Sequence, residues 1–185
     1  MSNLLYQEIE AKIQGREEEG NYITVPSSVT KNIKQPLRDY QIKALENFIY
    51  FIDINKKYQN IESKHLLFHM ATGSGKTNII ASTILYLYEK GYRDFIFFVN
   101  TQNIITKTKE NLINKYSQKY LYNEKIIINN KEVNFNIIDD TFDTSKKDDI
   151  NILFTTINKL HGDLETTLKE NSITFSDFEN RKIVL

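Results

Sequence analysis

The run Thr72-Gly73-Ser74-Gly75-Lys76-Thr77-Asn78 holds the residues whose types and spacing could do chemistry. Two glycines two positions apart let a backbone turn so that successive N–H groups face one anion. A lysine beside them brings a mobile positive charge, and the next hydroxyl is a hard-cation ligand. That is the chemistry of nucleotide phosphates. Gly73 and Gly75 would shape the loop, Lys76 would reach the β and γ phosphates and Thr77 would bind Mg²⁺, with Thr72, Ser74 and Asn78 completing the contacting run. The general form of the motif has a glycine five residues before Gly75, where this chain has Met70, so the match is to a looser subclass. Such a loop needs an apolar strand before it and a helix after it, whose N-terminal dipole meets the phosphates. His65–Met70 reads as that strand and 76–90 as that helix.

The elements that position the loop follow from the pattern around it. Leu5, Ile9 and Ile13 at helical spacing predict an amphipathic helix over residues 1–20, closed by Arg16-Glu17-Glu18-Glu19-Gly20. Asn21–Gln35, with Pro26, Ser27 and Ser28, reads as an extended linker, so residues 1–34 form an appendage to a domain spanning 35–185. Leu45, Phe48, Ile49 and Ile52 predict a helix from about Leu37 to about Tyr58. Strand and helix then alternate: 65–70 strand, 76–90 helix, 94–99 strand, 102–119 helix. Alternation of this kind requires crossovers and a parallel sheet flanked by helices. Gly91 fits the left-handed cap of the second helix. Lys125–Ile128 and Val133–Ile138 predict a hairpin inserted around Asn129-Asn130, because asparagine tolerates positive φ. Asp139–Asp149 is a polar loop, Ile150–Phe154 a buried strand, the stretch to Asn180 helical turns, and Lys182–Leu185 the start of a last strand.

Composition narrows the classes of function. With 185 residues and 40% hydrophobic content the chain can bury one core. Its 24 basic and 24 acidic residues cancel, so any contact with nucleic acid must come from a local patch. There is no cysteine, hence neither a disulfide frame nor a thiolate metal site. The start Met-Ser-Asn-Leu-Leu-Tyr-Gln-Glu lacks a signal-peptide pattern, and Phe95–Val99 is far too short to cross a bilayer, which points to the cytoplasm and away from a membrane. His65 and His69 share a strand face but stand about 13 Å apart, too far for one zinc ion. Asp139-Asp140 and Asp148-Asp149 read as solvated turns.

Leu37-Arg38-Asp39-Tyr40-Gln41 precedes the glycine loop by a helix and a connection, and together the two resemble superfamily 2 helicases. The resemblance implies a RecA-like P-loop NTPase domain in which Gln41, an amide able to donate and accept at once, reads the adenine of ATP with Arg38 nearby. It also implies that Thr101, Gln102 and Asn103, after the strand Phe97-Phe98-Val99, and Thr155 or Thr156, after Phe154, grip the DNA backbone. Lys107 and Lys109 follow on the next helix and read as a solvated face. Leu-Leu-Phe-His-Met-Ala-Thr-Gly-Ser-Gly-Lys-Thr and Phe-Phe-Val-Asn-Thr look most like the motor subunits of restriction enzymes, the type III Res subunit first and the type I subunit second.

In that family a strand like Arg181-Lys182-Ile183-Val184-Leu185 leads into an Asp-Glu-x-His element, so the expectation is an N-terminal fragment, nearly inactive alone. The second RecA-like domain, the nuclease domain and a modification (methyltransferase) subunit would be its partners. Two other classes fit the residues less well: a self-contained small-molecule kinase, and a non-enzymatic module with a disused loop.

Overall fold

The computed structural model describes residues 4–55, 64–165 and 172–185. Its centre is a sheet of four strands in the order β4-β5-β1-β6, all parallel, with β1 at Asp94–Val99, β4 at Phe135–Ile138, β5 at Ile150–Thr156 and β6 at Ile183–Val184. Successive side chains on a strand point to opposite faces, and this alternation assigns each face to its own core. Phe95, Ile150 and Ile152 pack on one side with Ala81 and Leu85 of α4 (Lys76–Glu89) and Leu112 of α5 (Gln102–Leu112). Ile96, Ile138 and Leu153 pack on the other with Phe142 and Ile173, against Leu160 and Leu164 of α6 (Ile157–Glu165) and Phe178 of α7 (Phe175–Asn180). A parallel sheet covered by helices on both faces is the α/β architecture that the alternating pattern predicts.

The N-terminal stretch contributes to the first of these cores. α1 (Leu5–Glu18) buries Ile9 and Ile13, and Ile23, Val29 and Ile33 join the cluster that holds Leu85 and Phe95. Each such side chain taken from water stabilises the fold by about 1.5–3 kcal/mol. After the single-turn α2 (Ser27–Thr30), Asn32 is 3% exposed and makes a backbone-like pair with its side chain. Its Nδ2 donates to the carbonyls of Ser28 (2.7 Å) and Ile127 (2.8 Å), while its Oδ1 accepts from the Ile127 N–H (2.7 Å). Next to it the Lys34 N–H donates to the Leu121 carbonyl at 2.7 Å. The stretch predicted as a linker is thus stitched to Ile127 and to the segment that leads up to it.

Four elements depart from the sequence reading. His65–Met70 was expected as a strand; it keeps the two-residue alternation, with Leu66, Phe68 and Met70 half-buried and Leu67 89% exposed, but is not part of the sheet. The predicted hairpin closes sooner than expected. Asn129 (φ 52°) and Asn130 (φ 62°) form the two-residue turn between β2 (Ile126–Ile128) and β3 (Lys131–Val133), as a primed turn requires. Phe135–Ile138 then leaves it to pair in parallel with β5 as the outer strand of the main sheet. The helix predicted over 102–119 stops at Leu112 and gives way to turns. The helix predicted to reach about Tyr58 is α3 (Asp39–Ile49) continued by one wide π turn, Tyr50–Ile54; its last expected residues lie outside those described.

Among the described residues no helix is long and apolar enough to cross a membrane.

Candidate functional site

The glycine loop is built as its composition requires. Gly73 (φ 80°) and Gly75 (φ 79°) both sit in the left-handed region, which a side chain makes costly, and Gly75 opens α4 as its N-terminal cap. Between them the Ala71 carbonyl gathers three donors: the Ser74 N–H (3.3 Å), the Ser74 hydroxyl (2.7 Å) and the Lys76 ammonium (2.9 Å). Lys76 also donates to the Met70 carbonyl at 3.1 Å, and its side chain stays exposed. The ammonium is therefore folded back over the loop on two neutral acceptors. An anionic phosphate oxygen would outcompete them, since it adds to the hydrogen bond a full charge–charge attraction that a neutral carbonyl does not supply. Thr72 is exposed, while Thr77 and Asn78 are half-buried in the first turn of α4.

The start of α3 braces this loop from behind. Gln41 is 2% exposed and uses both ends of its amide. Its Oε1 accepts from the Arg38 N–H at 3.0 Å, closing the first turn of α3, and its Nε2 donates to the Ser74 carbonyl at 3.0 Å. The Tyr40 hydroxyl donates to the same carbonyl at 2.9 Å, and Arg38 Nη1 in turn donates to the Tyr40 oxygen at 3.0 Å. The approach is so close that a Cβ at position 75 would lie 2.5 Å from Gln41 Nε2. Gln41 thus holds the loop, with both polar ends engaged by protein groups. Tyr40 was not singled out by the sequence reading; its signal was its place beside Gln41.

Beside the loop, Gly75, Thr77 and Asn78 form one wall of a cleft of about 330 Å³, whose opposite wall runs through Asn111 and Tyr120. Nothing in the sequence marked this cleft, because its two walls lie more than thirty residues apart and no motif joins them.

The residues expected on DNA gather at the C-terminal ends of the two central strands, β1 and β5. In the parallel register of β1 and β5, Phe98 faces Thr155 and Val99 faces Thr156, so both strands end together. Thr101 caps the start of α5, and it, Gln102 and Asn103 are exposed. Thr155 is buried, with its hydroxyl turned to the Thr156 carbonyl at 3.4 Å. The Thr156 hydroxyl accepts from the Lys159 N–H at 3.2 Å, capping the first turn of α6. Four of the five residues therefore reach or approach the surface, and Thr155 points inward. Lys107 is exposed, whereas Lys109 lies over the Phe154 ring with its ammonium 5.3 Å from the centroid.

Several other titratable groups form surface ion pairs. Asp140 pairs with Lys159 at 3.0 Å, Asp149 with Lys146 at 3.9 Å and His161 with Glu165 at 3.3 Å. Among the described residues no group of three or more His, Asp or Glu could hold a metal ion.

Residues 34–183 match the family model described as "Type III restriction enzyme, res subunit". The chain is 39% identical over 172 residues to the "Probable type III restriction-modification enzyme HindVIP Res subunit" of Haemophilus influenzae, a match that covers 91% of this chain and 33% of that protein. The chain thus spans about a third of the length of the relative it matches. No solved structure matches it.

Proposed function

The chain belongs to the type III restriction enzyme Res subunit family, which makes it part of a helicase-like motor domain, and from that membership we propose that it binds ATP with Mg²⁺ as the first of two RecA-like domains acting on DNA. The carrying observation is the loop itself. Two glycines at positive φ, an exposed lysine held only by backbone carbonyls and the N-terminus of a fourteen-residue helix converge on one point. The helix dipole and loop N–H groups favour an anion there, and Lys76 supplies the only full charge among them. Thr77 would hold Mg²⁺ together with the phosphates, which lets the metal neutralise the charge that builds up when the terminal phosphoryl is transferred.

In this reading Thr72–Asn78 contact the nucleotide. Gln41 reads the adenine with Arg38 nearby, and the same Gln41 ties α3 to the loop through the Ser74 carbonyl. Thr101, Gln102, Asn103 and Thr156 offer neutral donors to a DNA backbone at the strand ends, with Thr155 supporting them from beneath. Neutral donors at phosphates position a strand without reading its sequence. In a longer protein this domain would work against a second RecA-like domain and a nuclease domain. The complex would include a modification (methyltransferase) subunit and act in the cytoplasm within a restriction system.

The test is a titration with a fluorescent ATP analogue in Mg²⁺. Lys76→Ala should abolish binding while leaving the urea midpoint within about 0.5 kcal/mol of wild type, as expected for an exposed side chain. Unchanged affinity in a folded Lys76→Ala protein would remove the phosphate assignment. Phosphate transfer to a metabolite would replace the motor reading by a kinase.

A further inference from the structure

The chain is neutral as a whole, but its lysines are not spread evenly. Residues 31–35 and 107–132 together hold eight lysines against three glutamates, a surplus that the rest of the chain offsets. Backbone pairing joins these two stretches into one face. The Lys34 N–H donates to the Leu121 carbonyl at 2.7 Å, the Asn123 N–H donates to the Asn32 carbonyl at 2.8 Å, and Ile33 bridges to Tyr122. The Leu121 N–H in turn donates to the Asn111 carbonyl at 2.9 Å, which ties the face to the end of α5. Two of the lysines are engaged, Lys125 with Glu132 at 3.4 Å and Lys109 over the Phe154 ring. Lys31, Lys34, Lys107, Lys115, Lys119 and Lys131 are exposed, and among the described residues none of the six has an ion-pair partner. Of the glutamates, Glu132 is paired and Glu110 accepts from Asn114 Nδ2 at 2.8 Å.

The same face presents an aromatic ring to water. Tyr116, flanked in the chain by Lys115 and Lys119, is 97% exposed. The turn beneath it is firmly built: the Ser117 N–H donates to the Asn114 carbonyl (2.9 Å), the Tyr116 N–H to Asn114 Oδ1 (3.1 Å) and the Lys119 N–H to the Ser117 hydroxyl (3.1 Å). Unpaired lysines around an exposed ring are the two components of surfaces that track a single nucleic-acid strand, where charge follows the phosphates and a base stacks on the ring.

We propose that this face binds single-stranded DNA, with Lys31, Lys34 and Lys115 on the phosphates and Tyr116 stacked on a base. The inference rests on the reading of the chain as part of a DNA motor, which makes the polyanion DNA. It adds a site to the strand-end residues Thr101, Gln102 and Asn103. Those stand at the start of α5, whereas Tyr116 and the lysines around it lie past its end, about 16 Å along the eleven-residue helix, with Lys107 between. The strand ends offer neutral donors only. The lysines supply the attraction for a polyanion that a neutral chain lacks overall. A duplex keeps its bases stacked inside, so the ring favours a single strand.

The experiment follows the anisotropy of a labelled oligothymidylate, and of a duplex of the same length, on titration with the 185-residue chain at several salt concentrations. The proteins are wild type, Lys31→Gln with Lys34→Gln, Tyr116→Ala, Tyr116→Phe and Gln102→Ala. All four positions are exposed, so folding is preserved. Wild type should prefer the single strand. The double lysine variant should make the slope of log affinity against log salt shallower by about 1.4, two phosphates at about 0.7 each. Tyr116→Ala should lose about tenfold on the single strand and nothing on the duplex, while Tyr116→Phe, which keeps the ring, should bind like wild type. Equal losses of Tyr116→Ala on strand and duplex, or a slope unmoved by the lysine variant, would overturn the proposal. If Gln102→Ala weakens binding and the variants of this face do not, the DNA reading stands and this face is no part of it. If wild type binds neither oligonucleotide, the DNA reading falls first and this one with it.

Discussion

Gly75→Ala isolates the contact between the loop and α3. Two costs add at this position. The residue sits at φ 79°, and an L side chain in the left-handed region costs about 1–2 kcal/mol. The new Cβ would also stand 2.5 Å from Gln41 Nε2. A side-chain amide normally moves aside, but this one is 2% exposed and bonded at both ends, so displacing it breaks its 3.0 Å bond to Ser74 and leaves a buried donor unpaired for about 1–3 kcal/mol. The sum is about 3 kcal/mol, a large part of the stability of a domain this size. Gly73→Ala is the built-in control: the same backbone conformation, φ 80°, with nothing within 4 Å of the added carbon, so about 1 kcal/mol is expected. Urea unfolding followed by circular dichroism gives both values from midpoints at a common slope. A double-mutant cycle then separates the terms. With Gln41 already replaced by alanine the clash is gone, and Gly75→Ala should cost only the backbone strain, leaving a coupling of about 2 kcal/mol. Equal costs at positions 73 and 75, or additivity of Gly75→Ala with Gln41→Ala, would refute the packing argument.

Other expectations follow from the same geometry. Asn32→Ala removes three hydrogen bonds and orphans both backbone groups of Ile127, so a loss of about 2–4 kcal/mol should appear in urea unfolding, with faster amide exchange at Ile127; a loss below about 0.5 kcal/mol would show that the pairing is incidental. Alkaline pH should weaken the fold. Burial, reinforced by the Asp53 hydrogen bond and charge, holds the Tyr86 hydroxyl well above its ordinary value, and burial with the neighbouring Tyr120 does the same for Tyr122. Below about pH 10 these tyrosines are protonated in both states and contribute no slope; above it the unfolded chain ionises first, and stability falls by up to about 1.4 kcal/mol per pH unit for each. Urea midpoints measured from about pH 9 to about pH 11 should show that fall, and Tyr122→Phe should make it shallower.

Where local chemistry dictates structure, the sequence was legible. The phosphate loop could be read because Gly73, Gly75, Lys76 and Thr77 are adjacent in the chain, and α4 and β1 because their apolar periods are strong. Asn129-Asn130 announced its turn through the φ values asparagine tolerates. What escaped was set by partners far away in sequence. Phe135–Ile138 has the same β-rich texture whether it closes a hairpin or joins β5, and only the pairing decides. Thr155 and Thr156 look equivalent on paper, yet a strand turns alternate side chains to opposite faces, which buries one and leaves the other to cap a helix. Gln41 was legible only through its pairing with the loop motif, which set it at the adenine. That its amide would be spent on Ser74 could not be read, since it depends on how α3 docks.

The two hydrogen bonds that the Ser74 carbonyl accepts from α3 have a directional consequence. A peptide unit is planar and trans, so its C=O and N–H point opposite ways. Tyr40 and Gln41 draw the Ser74 oxygen toward α3, and by the same rotation they aim the Gly75 N–H away from it. They also turn that oxygen's lone pairs from the side where an anion would sit. The orientation of one amide dipole in the loop is thus set by side chains of α3, and a change at Tyr40 would retune the loop's polarity with every loop residue intact.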